Sequence, residues 1–145
     1  MNAQVDVDLQ VTGEEWEDIL ALSGHRRTEP RRAIVRAILR HDGPFTAESL
    51  ADGLRTSGVG RATVFRTIDV LADLGMLHRL HTGACHGYTV CPRGHHHHLT
   101  CSTCGKVQSV AGCGLDEQLN RLAQRAGFAI EDHHLELTGR CSGCQ

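Results

Sequence analysis

The stretch His95-His96-His97-His98-Leu99-Thr100-Cys101-Ser102-Thr103-Cys104 decides the fold of the second half of this chain. Four consecutive histidines lead directly into a Cys-x-x-Cys pair, and a second such pair occupies residues 141–144. Imidazole nitrogen and thiolate sulfur are the ligands of borderline-soft metals such as zinc. The stretch therefore predicts that metal binding organises this half of the protein.

The two Cys-x-x-Cys pairs predict one structural zinc site, because four thiolates close the tetrahedral coordination sphere of zinc. Its ligands are Cys101, Cys104, Cys141 and Cys144. A disulfide framework is the first alternative, but the cysteine count of seven is odd and residues 1–9 carry no secretory signal. A redox dithiol and an iron–sulfur cluster are the others. Cys85 and Cys113 have no partner by pattern.

The four histidines require a separate account, because successive side chains of a strand point to opposite faces. Each face then offers two imidazoles, and two ions can use two each. One predicted ligand set combines two histidines of the run with residues earlier in the sequence, and it comprises His78, Cys91, His96 and His98. The other set combines the remaining two histidines with residues later in the sequence, and it comprises His95, His97, His133 and an acid, either Asp116 or Glu117. His134 replaces His133 if the strand register slips by one. A polar loop or an expression tag is the alternative interpretation of a histidine run.

Length and charge bound the remaining possibilities. The chain has 145 residues and a net charge of −2, which indicates one domain or two small ones. Residues 24–82 contain ten arginines against six acids, a local excess of +4, and such a basic block suggests an anionic partner or a solvated surface. No apolar run reaches the ~18–20 residues that a membrane span needs, so we expect a cytoplasmic protein without a membrane partner.

The first half predicts a winged helix-turn-helix. After a loose arm over residues 1–12, helices are predicted around Trp16, after Pro30, after Thr46 and from Arg61 or Ala62. The last of them buries Val64, Ile68, Leu71 and Ala72 and turns Thr63, Arg66, Thr67 and Asp69 outward. A hairpin follows, formed by residues 76–80 and 87–90. In such a module the last helix reads DNA bases in the major groove, although a helical bundle that binds nothing has the same periodicity.

The second half predicts a small α/β domain after a hinge at residues 91–94. Strands are expected at residues 95–100, 106–110, 129–130 and 133–137, and one helix carries the apolar stripe Leu115, Leu119, Leu122, Ala123 and Ala126. A domain this small buries little core, so we expect metal ligation and dimerisation to stabilise it. The predicted fold class is α+β, with a DNA-binding domain at residues 1–90 and a metal-binding dimerisation domain at residues 95–145.

Several motifs together resemble the ferric uptake regulator family, most closely its zinc uptake regulator branch. They are Gly24-x-Arg26-x-Thr28, Thr46-Ala47-Glu48, Ala62-Thr63-Val64-Phe65-Arg66-Thr67, the histidine run, Cys101-x-x-Cys104-Gly105-Lys106-Val107, Gly127-Phe128, His133, Leu135-Glu136-Leu137-x-Gly139 and Cys141-x-x-Cys144. The resemblance covers nearly the whole chain from about Gly24. Phe65 stands where the family usually has tyrosine, and His78 stands where zinc-branch relatives often have aspartate.

The resemblance implies a zinc-responsive homodimeric repressor that binds operator DNA when loaded with zinc and controls zinc uptake genes, with two to three Zn²⁺ per subunit. It implies a sensing site of His78, Cys91, His96 and His98 and a third site of His95, His97, Asp116 and His133. Arg66 would be the chief base contact with Phe65 beside it, and Arg26 would contact the minor groove or a phosphate. We add Arg61 and Thr63, at the start of the same helix, to the DNA interface.

The alternatives are a sensor of iron, manganese, nickel or peroxide, and a zinc buffer. The chain lacks the His-Glu-x-x-His motif of zinc hydrolases, so we expect neither catalysis nor a small-molecule substrate.

Overall fold

The computed structural model describes residues 11–82, 85–91, 95–112 and 114–145, and His81, Thr82 and Cys85 are described by their backbone alone. It divides into an N-terminal unit, Leu9–Pro92, and a C-terminal unit that begins at residue 93. The predicted arm up to residue 10, hinge residues 92–94 and Cys113 lie outside the described residues.

The N-terminal unit begins with four helices, three of which start at a threonine cap. They are α1 (Gly13–Leu22), α2 (Glu29–Leu39), α3 (Ala47–Leu54) and α4 (Arg61–Asp73). Threonine side chains cap the first three by accepting a backbone N–H of the first turn. Between α3 and α4 a 3₁₀ turn, Arg55–Ser57, ends at Gly58 with φ 72°, a left-handed conformation that glycine adopts without strain.

The cap of α3 is a capping box formed by Thr46 and Ser49. Ser49 supplies the reciprocal bond instead of a glutamate. The Ser49 N–H donates to Thr46 Oγ1 at 3.0 Å, and the Thr46 N–H donates to Ser49 Oγ at 3.2 Å. Two otherwise unsatisfied donors of the helix start are thereby paired, which fixes where the helix-turn-helix begins.

The predicted stripe of α4 forms the centre of the core of this unit. Val64, Ile68 and Leu71 have no exposed surface, and each such side chain contributes about 1.5–3 kcal/mol by leaving water. Thr67 is also buried, with 2 % exposed, so its predicted outward position was wrong. The burial has a geometric cause, because Thr67 lies three residues after Val64 and four before Leu71 on the same face.

The wing is an antiparallel hairpin of β1 (Leu77–Thr82) and β2 (Cys85–Val90), in a register that pairs Leu77 with Val90. Phe45 pairs with the hairpin through an isolated bridge to Tyr88. The Phe45 N–H donates to the Tyr88 carbonyl at 2.9 Å, and the Tyr88 N–H donates back at 2.7 Å. Four helices followed by this hairpin confirm the predicted winged helix-turn-helix.

The C-terminal unit is a three-stranded sheet with one helix. Its elements are β3 (His96–Cys101), β4 (Val107–Ala111), α5 (Asp116–Arg125) and β5 (Glu136–Gly139). The strand order is β4-β3-β5, with β3 antiparallel to β4 and parallel to β5. The α+β fold class predicted from the sequence is thereby confirmed.

Two predicted strands near the end of the chain need correction. Residues 129–130 form no strand, and β5 begins at Glu136 instead of residue 133. The start of β5 is set by its partner, because the parallel ladder runs from His98–Glu136 to Cys101–Gly139 and extends no further. Local alternation of apolar and polar residues therefore predicted a longer strand than the ladder supports.

The predicted apolar stripe of α5 is largely exposed in the single chain. Within α5, Ala123 is the one buried residue. Large apolar side chains of this unit that stay more than a third exposed are Leu99, Leu115, Leu122, Phe128, Ile130 and Leu137. Over the residues that the structure describes, no helix has the length and apolar character needed to cross a membrane.

Candidate metal centres and nucleic-acid interface

The two Cys-x-x-Cys turns meet because β3 and β5 run parallel and end side by side. Cys101, the last residue of β3, is paired with Gly139, the last residue of β5. The Ser102 N–H donates to the Gly139 carbonyl at 2.7 Å, which joins the two strand ends. Each Cys-x-x-Cys turn is closed by its own backbone bond, at 2.9 Å in both the Gly105 N–H to Cys101 carbonyl and the Cys144 N–H to Cys141 carbonyl.

The four sulfurs fit a tetrahedral zinc ion. The Sγ atoms of Cys101, Cys104, Cys141 and Cys144 lie within 4.8 Å of one another, and the Cys104 and Cys141 sulfurs are 3.7 Å apart. Zinc–sulfur bonds of about 2.3 Å place two thiolates of a tetrahedron about 3.8 Å apart. A disulfide needs a sulfur separation of about 2.05 Å. The arrangement therefore has the dimensions of a metal site rather than those of a disulfide.

The cluster is also arranged to hold a thiolate. Backbone N–H groups, first that of Cys104 and then those of Cys141 and Thr103, lower the pKa of Cys101 to about 5. The Cys141 N–H donates to the Cys101 sulfur at 3.4 Å. Hydrogen bonding to the sulfurs of Cys141 and Cys104 raises the pKa of Cys144 to about 12. Because zinc binds thiolates, metal binding would release the protons that remain on these sulfurs.

His95, His97 and His133 form a second group of metal donors. Ligand atoms of His95, His97 and His133 lie within 4.8 Å of one another, and the Nε2 atoms of His95 and His97 are 3.1 Å apart. Burial of His97, followed by the nearby His95 and His133, lowers its pKa. That shift favours neutral imidazole, which is the form that binds metals.

The acid predicted for this third site is not part of the group. Among the residues that the structure describes, neither Asp116 nor Glu117 belongs to the donors within 4.8 Å of one another. Glu117 instead forms an ion pair with Arg121 one turn further along α5. His134, the alternative ligand, is 90 % exposed and lies 3.5 Å from Asp132, so the structure brings His133 and not His134 to the pair.

The other two histidines share the opposite face of β3. The rings of His96 and His98 have centroids 4.9 Å apart. His98 is buried, and its Nδ1 lies 3.2 Å from the Ser109 hydroxyl. A bond to one ring nitrogen fixes the orientation in which the other can serve as a ligand. Ser109 was missed by the sequence analysis, although its position opposite His98 follows from the β3–β4 register.

His78 and Cys91, the remaining residues of the predicted sensing set, belong to the N-terminal unit. His78 is a half-buried residue of β1. Cys91 directly follows β2, and its N–H donates to the Met76 carbonyl at 3.0 Å. Burial raises the pKa of the Cys91 thiol to about 11. Because the four residues divide between the two units, their assignment to one site stays a prediction.

The predicted DNA-contacting side chains differ in their exposure and in whether they already bind another side chain of the protein. Arg66 of α4 and Arg26, which precedes α2, are exposed, and neither guanidinium has an ion pair or hydrogen bond among the described residues. The Arg61 guanidinium lies 4.9 Å from the centre of the Phe65 ring and 3.8 Å from Glu48.

The other two predicted DNA-contacting residues, Phe65 and Thr63, are partly buried. Phe65 packs partly against the core of the unit, and Thr63 is half-buried at the start of α4. Most other arginines of this unit are engaged. Arg27, Arg32, Arg36 and Arg79 form ion pairs with carboxylates, so Arg66 and Arg26 are among the few cations available to an anionic partner.

Comparison with known proteins identifies the family. The sequence model of the ferric uptake regulator family matches residues 22–138. The chain belongs to the ferric uptake regulator family. Membership makes it a metal-responsive transcription regulator and not an enzyme.

The relatives of this ferric uptake regulator family member are named for the uptake of different metals. The ferric uptake regulation protein of Campylobacter jejuni is 28 % identical over 144 residues, which covers 96 % of this chain and 92 % of the relative. The zinc uptake regulation protein of Mycobacterium tuberculosis is 33 % identical over 129 residues, which covers 87 % and 99 %. A solved zinc uptake regulator in complex with zinc and DNA is 26 % identical, with TM-score 0.66 and coverage of 92 % and 95 %.

Proposed function

We propose that this protein is a zinc-responsive homodimeric repressor, which binds operator DNA when loaded with zinc and so controls zinc uptake genes. The named relative from M. tuberculosis and the zinc- and DNA-bound structural neighbour support the zinc assignment. Two zinc ions per subunit correspond to one structural and one sensing site, and a third ion would occupy the group of His95, His97 and His133.

The observation that carries this proposal is the chemistry of the donors. Both donor groups of the C-terminal unit consist of sulfur or imidazole nitrogen, and no carboxylate joins either of them among the residues described. The proposed sensing set of His78, Cys91, His96 and His98 adds a thiolate to three imidazoles. Softer ligands in a set of four favour zinc, whereas carboxylate-rich sets favour manganese and iron.

The sensing set gives a physical route from zinc to DNA. His78 and Cys91 come from the N-terminal unit, and His96 and His98 come from the C-terminal unit. Ligation by residues of both units would fix the angle between them, and in a homodimer that angle sets the separation of the two α4 helices. Two such helices enter consecutive major grooves when they are about 34–36 Å apart. Zinc thus selects the DNA-binding conformation without touching DNA.

Replacing Arg66 with alanine should weaken zinc-dependent operator binding by about 1–3 kcal/mol, or roughly 5- to 150-fold, as expected for loss of a direct base contact. A gel-shift titration at fixed salt and buffered free zinc measures the change. Arg121→Ala, which removes an equal charge from the exposed face of α5, is the matched control and should leave affinity unchanged. Equal effects of the two variants would contradict the assignment of Arg66.

A sensor of iron is the second candidate, since a relative from C. jejuni is named a ferric uptake regulation protein. The same gel shift, repeated with Fe²⁺ and Mn²⁺ under reducing conditions, separates the two. We expect zinc to support binding at a free concentration far below that of the other two ions. Stronger support by Fe²⁺ or Mn²⁺ would move the assignment to another branch of the family.

We propose a homodimer because large apolar side chains of the C-terminal unit are exposed in the single chain. Leu122 and Phe128 are 57 % and 72 % exposed, and the edge strand β5 has no buried residue. Burial of such side chains in a subunit interface would stabilise a unit too small to bury them itself.

Replacing Leu122 with aspartate should weaken dimerisation at least about tenfold, because a charge would be buried in the interface. Analytical ultracentrifugation across a dilution series measures it. Leu22→Asp in α1, at a leucine that is 89 % exposed, is the matched control. A dimer that tolerates both substitutions equally would place the interface elsewhere.

A further inference from the structure

The charges of the recognition helix α4 are arranged against its own dipole. Arg61 and Arg66 lie in its N-terminal half, whereas Asp69 and Asp73 lie towards its C-terminal end. The first turn contains no acid and the last turn no base, the reverse of what stabilises a helix. The arrangement concentrates positive charge where the helix would meet DNA, and it leaves two carboxylates that need a counter-charge from another element.

Arg79 of the wing supplies that counter-charge. Its Nη2 atom lies 3.2 Å from Asp69 Oδ1 and 3.7 Å from Asp73 Oδ1. Asp69 has a second possible partner, because it follows Arg66 by three residues, a spacing at which helical side chains form ion pairs. The structure pairs Asp69 with Arg79 instead, and Arg66 has no ion pair among the residues described.

We propose that Arg79 is a positioning residue for DNA recognition. By holding Asp69 and Asp73, it keeps the guanidinium of Arg66 available and screens two carboxylates from the phosphates of bound DNA. This inference rests on the proposed function, in which Arg66 contacts DNA. It assigns the wing a role within the protein, in which β1 controls the charge that the recognition helix presents.

The ion pairs contribute little to the stability of the fold. The side chains of Arg79, Asp69 and Asp73 are 49 %, 59 % and 75 % exposed, and pairs between exposed charges are screened by water and salt. Loss of Arg79 should therefore leave the melting temperature nearly unchanged. Its effect should be visible in DNA binding, where a released Asp69 both competes for Arg66 and repels phosphate.

The test is a charge-rescue cycle on the full-length, zinc-loaded protein. Arg79→Gln should weaken operator binding about two- to tenfold, the range expected when exposed ion pairs near the phosphates are lost. Adding Asp69→Asn and Asp73→Asn to that variant should restore the affinity, because no carboxylate is then left to compensate. The slope of log affinity against log salt should stay unchanged in Arg79→Gln, since no phosphate contact is removed.

Each other outcome overturns the inference. Unchanged binding of Arg79→Gln would show that Asp69 does not compete for Arg66. Weakened binding that the asparagine substitutions fail to restore, with a salt slope reduced by about one, would mean that Arg79 touches the phosphates itself. If Arg66→Ala weakens binding and Arg79→Gln does not, this inference alone fails. If Arg66→Ala also has no effect, the proposed function fails with it.

Discussion

Replacing Cys101 with serine should remove one zinc ion per chain and unfold the C-terminal unit. Cys101 is 5 % exposed and ends β3 beside the end of β5, so as a zinc ligand its sulfur would hold the two parallel strands together at the Cys-x-x-Cys turns. Structural zinc contributes about 10–16 kcal/mol to the folding of zinc-finger peptides, whereas a whole domain is stable by only about 5–15 kcal/mol. A unit with few buried apolar side chains therefore should not fold without this site.

Two measurements check this expectation. Metal analysis of the purified variant should show one zinc fewer than in the unaltered protein, and circular dichroism should show loss of the β3–β5 sheet while the helices of the N-terminal unit persist. Thr103→Ala is the matched control, because Thr103 lies exposed in the same turn and contributes only its backbone N–H to Cys101. A serine variant with full zinc content and an unchanged melting temperature would refute the structural role.

Local signals in the sequence predicted this site and the recognition helix. Each Cys-x-x-Cys pair is a turn whose geometry depends on a few neighbouring residues, and β3 was placed within one residue of its observed start. The α4 stripe followed from helical spacing alone. The same stripe contained the evidence for the burial of Thr67, which stands at helical spacing from Val64 and Leu71, although its polar side chain suggested an outward position.

Features set by distant partners could not be predicted. β5 begins at Glu136, where its parallel ladder with β3 starts opposite His98, and nothing in the sequence of residues 133–135 indicates that the ladder starts there. The apolar stripe of α5 indicates burial, yet it does not say whether the same chain or a second subunit covers it. The pairing of Asp69 with Arg79 over Arg66 likewise depends on how the wing packs against α4, which helical spacing does not reveal.

The third-site acid shows the same limit. The resemblance implied Asp116 beside His95, His97 and His133, whereas the structure gathers the three histidines without it. Asp116 is the first residue of α5, so its place depends on how the helix start lies against the sheet. It remains a predicted ligand, and its contribution to zinc content can be measured in an Asp116→Asn variant.

Replacing Cys91 with serine and His96 with alanine together should abolish the zinc dependence of DNA binding. The proposed sensing set loses one ligand from each unit, so occupancy no longer couples the units. Coupling energies between effector and ligand sites are typically about 1–3 kcal/mol, or roughly 5- to 150-fold in affinity. We expect the affinity of the zinc-loaded variant to fall by that factor to the value of the zinc-depleted protein. The measurement is a gel shift over a series of buffered zinc concentrations.

The variant should otherwise remain intact, which separates sensing from folding. The four cysteines at the ends of β3 and β5 are unaltered, so the variant should keep their zinc, its melting transition and its dimer. His134→Ala, at a histidine that is 90 % exposed and outside the donor groups of the described residues, is the matched control and should respond to zinc as the unaltered protein does.

The alternative sensor is the group of His95, His97 and His133, which lies within the C-terminal unit and uses the opposite face of β3. Its ligands come from one unit, so its occupancy alone would not set the angle between the units. If the Cys91/His96 variant still requires zinc and His97→Ala does not, that group is the sensor, and the coupling must act through the dimer interface. If zinc dependence is lost only in the Cys91/His96 variant, ligands from both units are needed for zinc to control DNA binding.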